Sequence, residues 1–298
     1  MPVNWIPRKN IDEAKWTACT ASCPQTDSVC ARPWYLDGCG EKWDALVEDD
    51  YRAVMPLFWR KKLGIRYIYP PFFTGQIGIL GNPAASIPEW LDVIPRRFLR
   101  SEILLNASNG RPEQRQGKVI PHQTFLLDLQ PSYDHLRGNY SQNHLRNLKK
   151  AEEAGLRIVR EVPQEAVIRM FREHRGRERK VGYREEDYQR LGRLLETLDR
   201  HHAMESWGVT DAQGTLCAAA FFPFLPHRYT FLFSGRNSAS GENRAMFFLA
   251  DRFIRSHAGN AAILDFNGSN NPAVARFYSG FGAEAQPFFQ FNSGLGTH

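Results

Sequence analysis

The residues best suited to chemistry lie near the end of the chain, where Asp265 and Tyr278 flank a polar loop. Asp265 closes the short apolar stretch Ala262–Asp265, which is typical of a buried central strand. A carboxylate at the end of such a strand can act as a base toward an amine. It can equally cap the helix that begins at Asn271 or bond to the backbone of the intervening loop, and these roles stay open.

Tyr278 follows on a short predicted helix, Asn271–Tyr278. A phenol that faces a cleft can donate a proton to a leaving group, so Tyr278 is a candidate general acid. The alternative is that Phe277 and Tyr278 only pack this helix on a sheet. Asn271 precedes the helix and is a candidate contact for a bound donor.

A second polar segment, Gly235–Asn243, joins the predicted strand Tyr229–Ser234 to the predicted helix Ala245–His257. Backbone N–H groups of such a loop, together with the start of the next helix, can hold phosphate groups. The candidate cofactor-binding residues are Ser234, Arg236, Asn237, Ser240, Gly241 and Asn271. We therefore expect the working cleft between the ends of Phe231–Ser234 and Ala262–Asp265, although an ordinary polar surface loop is the alternative.

The elements around these residues alternate between helical and strand patterns, which predicts an α+β fold with layers of helices on mixed, mostly antiparallel sheets. Ser141 and Gly155 are typical first and last residues of a helix over 141–154. Its charged residues His144, Arg146, Lys149 and Lys150 could meet phosphates, or form a solvated face. Helical spacing also predicts a helix over Ile87–Leu99.

A weak internal repeat suggests two units of one fold. A strand–turn–strand–turn–strand block begins at Trp43, and a block of the same layout begins at Trp207. Each has an apolar strand that ends at a proline, Pro56 or Pro223, followed by an aromatic strand. The pattern predicts units over residues 1–138 and 139–298 with a junction in 130–139, unless two β-meanders resemble each other by chance.

The stretch Asn271–Glu284 resembles motif B of the GNAT (Gcn5-related N-acetyltransferase) superfamily. Asn271, Phe277, Tyr278 and Gly282 fall in register with that motif, whereas Val274 and Ala283 replace its usual Ala and Phe. The resemblance implies an acyltransferase that uses acyl-CoA, such as acetyl-CoA. The loop after Arg236 matches the phosphate-binding pattern of the superfamily only in part, with Ala239 where a glycine is usual.

A longer resemblance is to the Fem family of peptidoglycan aminoacyltransferases, which have two GNAT units. It rests on the order of short stretches across most of residues 34–284: Trp34–Asp37, Ala53–Leu57, Pro70–Phe73, Asn139–Asn143 and Leu264–Gly268. It implies two tandem GNAT-like units, aminoacyl-tRNA as the donor and an amine of a small molecule or peptide as the acceptor. No heptad stretch predicts the coiled-coil arm that many Fem proteins carry.

The bulk composition sets further expectations. A formal net charge of +6 is compatible with an acidic partner such as a nucleotide or tRNA. The five cysteines lack the paired spacing of zinc sites, no segment has the length and apolarity for membrane insertion, and the start of the chain has no signal-peptide core. We therefore expect a cytoplasmic monomer or weak dimer without a metal. The function predicted is N-acyl or aminoacyl transfer to an amine, and the alternative is a catalytically silent GNAT-like protein that binds a ligand or RNA.

Overall fold

The computed structural model describes residues 2–40, 42–112, 117–174, 183–237 and 243–294. These residues form a mixed α+β fold, as predicted, in two compact units. The first unit contains residues 1–123 and 286–298, and the second contains residues 124–285. No described helix has the length and apolar character needed to cross a membrane.

The first unit is built on a mixed sheet. Its strands are β1 (Val3–Pro7), β2 (Lys42–Glu48), β3 (Ala53–Lys62), β4 (Ile65–Ile68), β5 (Leu80–Gly81) and β6 (Phe98–Leu104). The unit also contains the helices α1 (Glu13–Ala21), α2 (Pro33–Gly38) and α3 (Ile87–Asp92). Strand β4 runs parallel to β6, and every other neighbouring pair in this sheet is antiparallel.

The second unit has its own mixed sheet. Strand β7 (Lys118–Asp128) enters it, followed by β8 (Arg157–Arg160), β9 (Met204–Thr210), β10 (Leu216–Leu225), β11 (Arg228–Thr230), β12 (Phe233–Arg236) and β13 (Ile263–Asp265). The helices are α4 (Tyr133–Gly138), α5 (Gln142–Glu153), α6 (Gln164–His174), α7 (Glu185–Arg200), α8 (Ala245–His257) and α9 (Pro272–Ser279). The last strand of the chain, β14 (Glu284–Gly294), leads out of this unit.

The two units share one strand order. In the first unit the order is β1-β2-β3-β4-β6-β14, and in the second it is β8-β9-β10-β11-β13-β7. In each, the fourth and fifth strands are parallel and the other neighbours are antiparallel. The sixth strand of each sheet comes from the part of the chain that follows the fifth strand of the other unit. Strand β7 follows β6 in the sequence but pairs with β13, and β14 follows β13 but pairs with β6.

Because of this exchange, the boundaries of the compact units differ from the boundary predicted after residue 138. Residues 124–138 belong to the second unit, since Leu127, Leu129 and Leu136 are buried in its core. Residues 286–298 belong to the first unit. The Pro- and Gly-containing segment predicted as the junction instead contains α4, which Ser132 caps at its start.

The predicted helix over Ile87–Leu99 is wrong beyond Asp92. Helix α3 ends there, and the chain enters β6 at Phe98. Pro95 explains the early end, because the residue before a proline avoids helical backbone angles. The predicted strand Tyr229–Ser234 is likewise divided into β11 and β12; both pair with β10, and β11 also pairs with β13.

Candidate active site

Two central strands of the second unit part where the chemistry was predicted. Strand β11 runs parallel to β13 up to the pair Thr230 and Asp265, and the Phe231 amide donates to the Asp265 carbonyl at 2.8 Å. Beyond this point the Leu232 amide bonds to Phe221 of β10, whereas the Phe266 amide bonds to Phe125 of β7. The two segments therefore follow different neighbours and leave a gap between them.

Tyr278 lies against the first residue after each of these strands. Its ring stacks on Phe266, with centroids 4.8 Å apart, and lies 6.2 Å from the ring of Phe231. Phe125 packs against it at 5.8 Å. The side chain is half-buried. Helix α9 thus carries Tyr278 to the place where the strands separate.

Asp265 is buried and accepts hydrogen bonds from three groups. The Thr124 hydroxyl and the Asn267 amide donate to Oδ1 at 2.9 and 2.8 Å, and Arg228 Nη1 donates to Oδ2 at 3.2 Å. The bond to the loop backbone was one of the roles left open by the sequence. Through these three bonds Asp265 ties β7, β11 and the following loop together.

Strand β12 positions two of the predicted cofactor contacts. Ser234 and Arg236 alternate with Phe233 and Gly235, and Arg236 is exposed. A Cβ atom on Gly235 would lie 2.7 Å from the Val167 carbonyl oxygen, so helix α6 approaches the backbone closely on that face. Ser234 and Arg236 therefore project from the opposite face of β12.

The other predicted contacts have local roles in the structure. The Asn237 amide donates to the Cys217 carbonyl at 2.9 Å and its side chain donates to Leu216, which fastens the loop to β10. Asn271 Oδ1 accepts from the Ala273 amide at 2.9 Å and so caps α9. Ser240 and Gly241 lie outside the described residues.

The start of α8 already has partners for several of its amides. Asn243 Oδ1 accepts from Ala245, and the Arg244 carbonyl accepts from Phe247 and Phe248. Amides used in this way are less available to a phosphate group than those of an uncapped helix.

Arg244 is a candidate functional residue that the sequence analysis did not identify. It occupies the N-cap position of α8 with φ of 60°, in the left-handed region. Its Nε atom is buried without a hydrogen-bond partner among the described residues. The helix dipole disfavours a cation at the start of a helix. An arginine at this position in the sequence therefore indicates a role other than capping.

His144 does not join the charged face predicted for helix α5. It is buried, its Nδ1 lies 2.9 Å from Ser141 Oγ, and its Nε2 lies 2.9 Å from the Phe277 carbonyl oxygen. Burial lowers the pKa of this imidazole. Arg146, Lys149 and Lys150 are exposed as predicted. His144 instead supports α9 next to Tyr278.

The corresponding strands of the first unit also part. Strands β4 and β6 pair as far as Ile68 and Ser101, and a shallow pocket opens beyond them. Its walls include Tyr69 and Pro70 on one side and Ile103 and Leu104 on the other, with Glu102 as its charged residue. This gap is mainly apolar, in contrast to the polar segments of the second unit.

Comparison with known proteins identifies the fold. No protein-family model matches the sequence, and no curated protein matches it. FemX has 12% sequence identity with a TM-score of 0.66, over 97% of each chain. The C-terminal domain of a putative lysylphosphatidylglycerol synthetase from Agrobacterium fabrum has 10% identity and a TM-score of 0.54, over 94% of this chain and 92% of that one.

A third similar structure is the GCN5-related glucosamine N-acetyltransferase region of a fungal multi-domain β-N-acetylglucosaminidase, with 10% identity and a TM-score of 0.51. The match covers 98% of this chain and 38% of that one. At these identities the likeness concerns the fold. The chain thus has a GNAT-like fold, which it shares with FemX.

Proposed function

We propose that this protein transfers an acyl or aminoacyl group to an amine, in the gap between β12 and the segment after β13. The observation that carries this proposal is the parting of the strands after Thr230 and Asp265, with the Tyr278 ring packed on the residues that follow. Two parted strands present backbone groups that a linear donor can bond, which is how a GNAT-type sheet accommodates one.

The reaction needs no group beyond donor, acceptor and protein. The amine nitrogen attacks the carbonyl carbon of the donor, a C–N bond forms, and the C–O or C–S bond to the leaving group breaks. The amine loses a proton and the leaving group gains one. Tyr278 is our candidate general acid for that second transfer, and backbone N–H groups near the gap stabilise the developing oxyanion.

Asp265 retains two candidate roles. As a base it would take the proton of the acceptor amine. As a positioning residue it would hold the edge of the gap through Thr124, Arg228 and the Asn267 amide. The three donors favour the positioning role, because they already engage both carboxylate oxygens of Asp265.

The remaining residues are proposed donor contacts. Arg236 is exposed next to the gap and can pair with a phosphate. Ser234 projects from the same face of β12. Asn237 and Asn271 shape the loops that meet the donor, since their side chains are engaged with backbone groups. We keep Ser240 and Gly241 as proposed contacts of the same loop.

We favour aminoacyl-tRNA over acyl-CoA as the donor. The Ala245 and Phe247 amides at the start of α8 are already hydrogen-bonded, which weakens a pyrophosphate site there, and the likeness to FemX covers 97% of each chain. Acyl-CoA is the second candidate, because the parted strands are the feature with which the GNAT fold binds that donor. The acceptor is an amine of a small molecule or peptide.

The donor can be tested by incubating the protein with radiolabelled aminoacyl-tRNA or acetyl-CoA and a panel of amines. We expect label to pass from aminoacyl-tRNA to an amine, and thermal stabilisation by tRNA but not by CoA. Stabilisation and transfer with acetyl-CoA would select the second donor. Binding of either ligand without transfer would favour the silent ligand- or RNA-binding alternative.

We also propose a monomer or weak dimer that works in the cytoplasm. All five cysteines are free thiols, as a reducing compartment requires. The described residues include no group of three or more metal-ligating side chains. Sedimentation equilibrium over a range of protein concentrations would measure the assembly state, and a stable dimer at the lowest concentration would contradict it.

A further inference from the structure

One end of the first unit exposes an unusual set of apolar side chains. Leu63 is 93% exposed, Ile65 48% and Leu99 46%, and these are three of the four strongly exposed large hydrophobic residues among those described. Leu63 occupies the tip of the β3–β4 hairpin with φ of 49°, next to Gly64 with φ of 83°. The left-handed region is unfavourable for leucine, so the backbone conformation does not explain why an exposed leucine occupies this tip.

Strand register brings the three side chains to one place. In the hairpin Ile65 pairs with Lys62, one residue from the tip. On the other side of β4, Arg66 pairs with Phe98 and Tyr67 with Arg100, so Leu99 is the extra residue of a bulge. Leu63, Ile65 and Leu99 thus lie on neighbouring strand ends, and we call them the apolar tip.

Basic residues lie along the strands that lead to the apolar tip, and next to them. They are Lys42, Lys61, Lys62, Arg66 and Arg97. Lys42 and Arg66 lie over the ring of Trp59 at 5.5 and 5.6 Å, and no described acidic side chain forms an ion pair with any of the five. Arg100, nearby, is paired with Glu102. The apolar tip therefore has a net positive border.

We propose that the apolar tip and its basic border dock this protein on an anionic lipid surface. Leu63 and Ile65 would enter the headgroup layer, and the lysines and arginines would contact lipid phosphates. An apolar projection with a basic border has the chemistry of an interfacial anchor, in which hydrophobic burial and attraction to anionic lipid add together.

A lipid surface fits these residues better than RNA does. Aliphatic side chains are stabilised by transfer out of water but offer no stacking surface for a base, whereas single-stranded RNA sites combine positive charge with exposed aromatic rings. Two aromatic rings near this end are already covered by cations: Trp59 by Lys42 and Arg66, and Trp5 by Arg97. The docking is peripheral, in keeping with the lack of a membrane-spanning helix among the described residues.

Co-sedimentation of the whole protein with vesicles tests the proposal. We expect binding to vesicles of phosphatidylcholine mixed with phosphatidylglycerol, little binding to phosphatidylcholine alone, and a decline as salt rises. Leu63→Ser with Ile65→Ser, and separately Lys61→Glu with Lys62→Glu, should each weaken binding by about tenfold or more. Both pairs are exposed, so the melting temperature should stay close to that of the wild type.

The matched control is Lys149→Glu with Lys150→Glu, a charge reversal on the exposed face of α5. It should leave vesicle binding unchanged. Equal binding to both kinds of vesicle, or equal loss in the control, would overturn the proposal. If Lys61→Glu with Lys62→Glu weakened tRNA binding and left vesicle binding intact, the surface would belong to RNA instead. The assay needs no transfer activity, so its result is independent of the proposed function.

Discussion

Arg228 Nη1 lies 3.2 Å from Asp265 Oδ2, and the two side chains are only 13% and 12% exposed. They belong to β11 and β13, the parallel strands that part just after Asp265. The ion pair therefore links the first paired residue of β11 to the last paired residue of β13, across the segment in which the two strands are hydrogen-bonded. The gap begins just beyond this segment.

Replacement of Asp265 by asparagine should show what this ion pair does. Asp265→Asn removes the carboxylate with which Arg228 is paired, and removal of one partner of an enclosed pair costs about 3 kcal/mol. We expect a loss of that size in the free energy of unfolding measured by urea denaturation. The double variant Asp265→Asn with Arg228→Met should regain part of it. Full stability of Asp265→Asn together with abolished transfer would instead identify Asp265 as the base.

Gly235 provides a test of how β12 is positioned. An added Cβ would lie 2.7 Å from the Val167 carbonyl oxygen and 3.1 Å from the Phe171 nitrogen, both backbone atoms of α6. Gly235→Ala should therefore destabilise the protein by about 1–3 kcal/mol. Gly192→Ala, within α7 and with no atom in reach of its Cβ, should be neutral or stabilising by about 0.5–1 kcal/mol. Equal effects of the two variants in thermal unfolding would contradict the close approach of α6.

His144 should make stability depend on pH. Burial lowers the pKa of His144 below its ordinary value of 6.5, so as the pH falls through 6.5 the unfolded chain takes up this proton before the folded protein does. The stability contributed by neutral His144 is thus present above that value and declines below it. His144→Gln should reduce the decline of the free energy of unfolding between neutral and mildly acidic pH. His135→Gln, at an exposed position, should not. A decline unchanged in His144→Gln would show that other groups cause it.

The cysteines should differ sharply in reactivity. Cys23 is the one with partial exposure, and Cys19, Cys30, Cys39 and Cys217 are buried. Burial raises the pKa of Cys19 to about 11, which keeps it as the unreactive thiol at neutral pH. We expect one fast-reacting thiol per native chain with a thiol reagent and all five after unfolding. A fast-reacting thiol that remains in Cys23→Ser would contradict this assignment.

Local sequence signals predicted much of the second unit. Ser141 caps α5 as predicted, and Gly155 follows that helix with φ of 65°. Asn271 caps the helix that carries Tyr278, and the apolar stretch before Asp265 is a central strand. Caps, glycines and short apolar runs act within a few residues, so a single sequence carries them.

Other features depend on residues far apart in the chain. The exchange of β7 and β14 between the two sheets is set by strand pairing, which no local pattern encodes. The inward position of His144 depends on Phe277, and the environment of Asp265 depends on Thr124. These long-range contacts are also the ones that distinguish a positioning role of Asp265 from a basic one.

The central proposal, transfer in the gap of the second unit, is tested most directly by the rate of single-turnover transfer for Tyr278→Phe. The variant keeps the ring that packs on Phe266 and removes the phenol proton. We therefore expect the transfer rate to fall about a hundredfold, with donor binding and the melting temperature unchanged. Tyr229→Phe, whose ring packs on Phe253 and His257 of α8, serves as the matched control and should keep the wild-type rate. An unchanged rate in Tyr278→Phe, with loss of transfer in Phe72→Ala or Gln76→Ala of the first unit, would move the site to that unit and contradict the proposal.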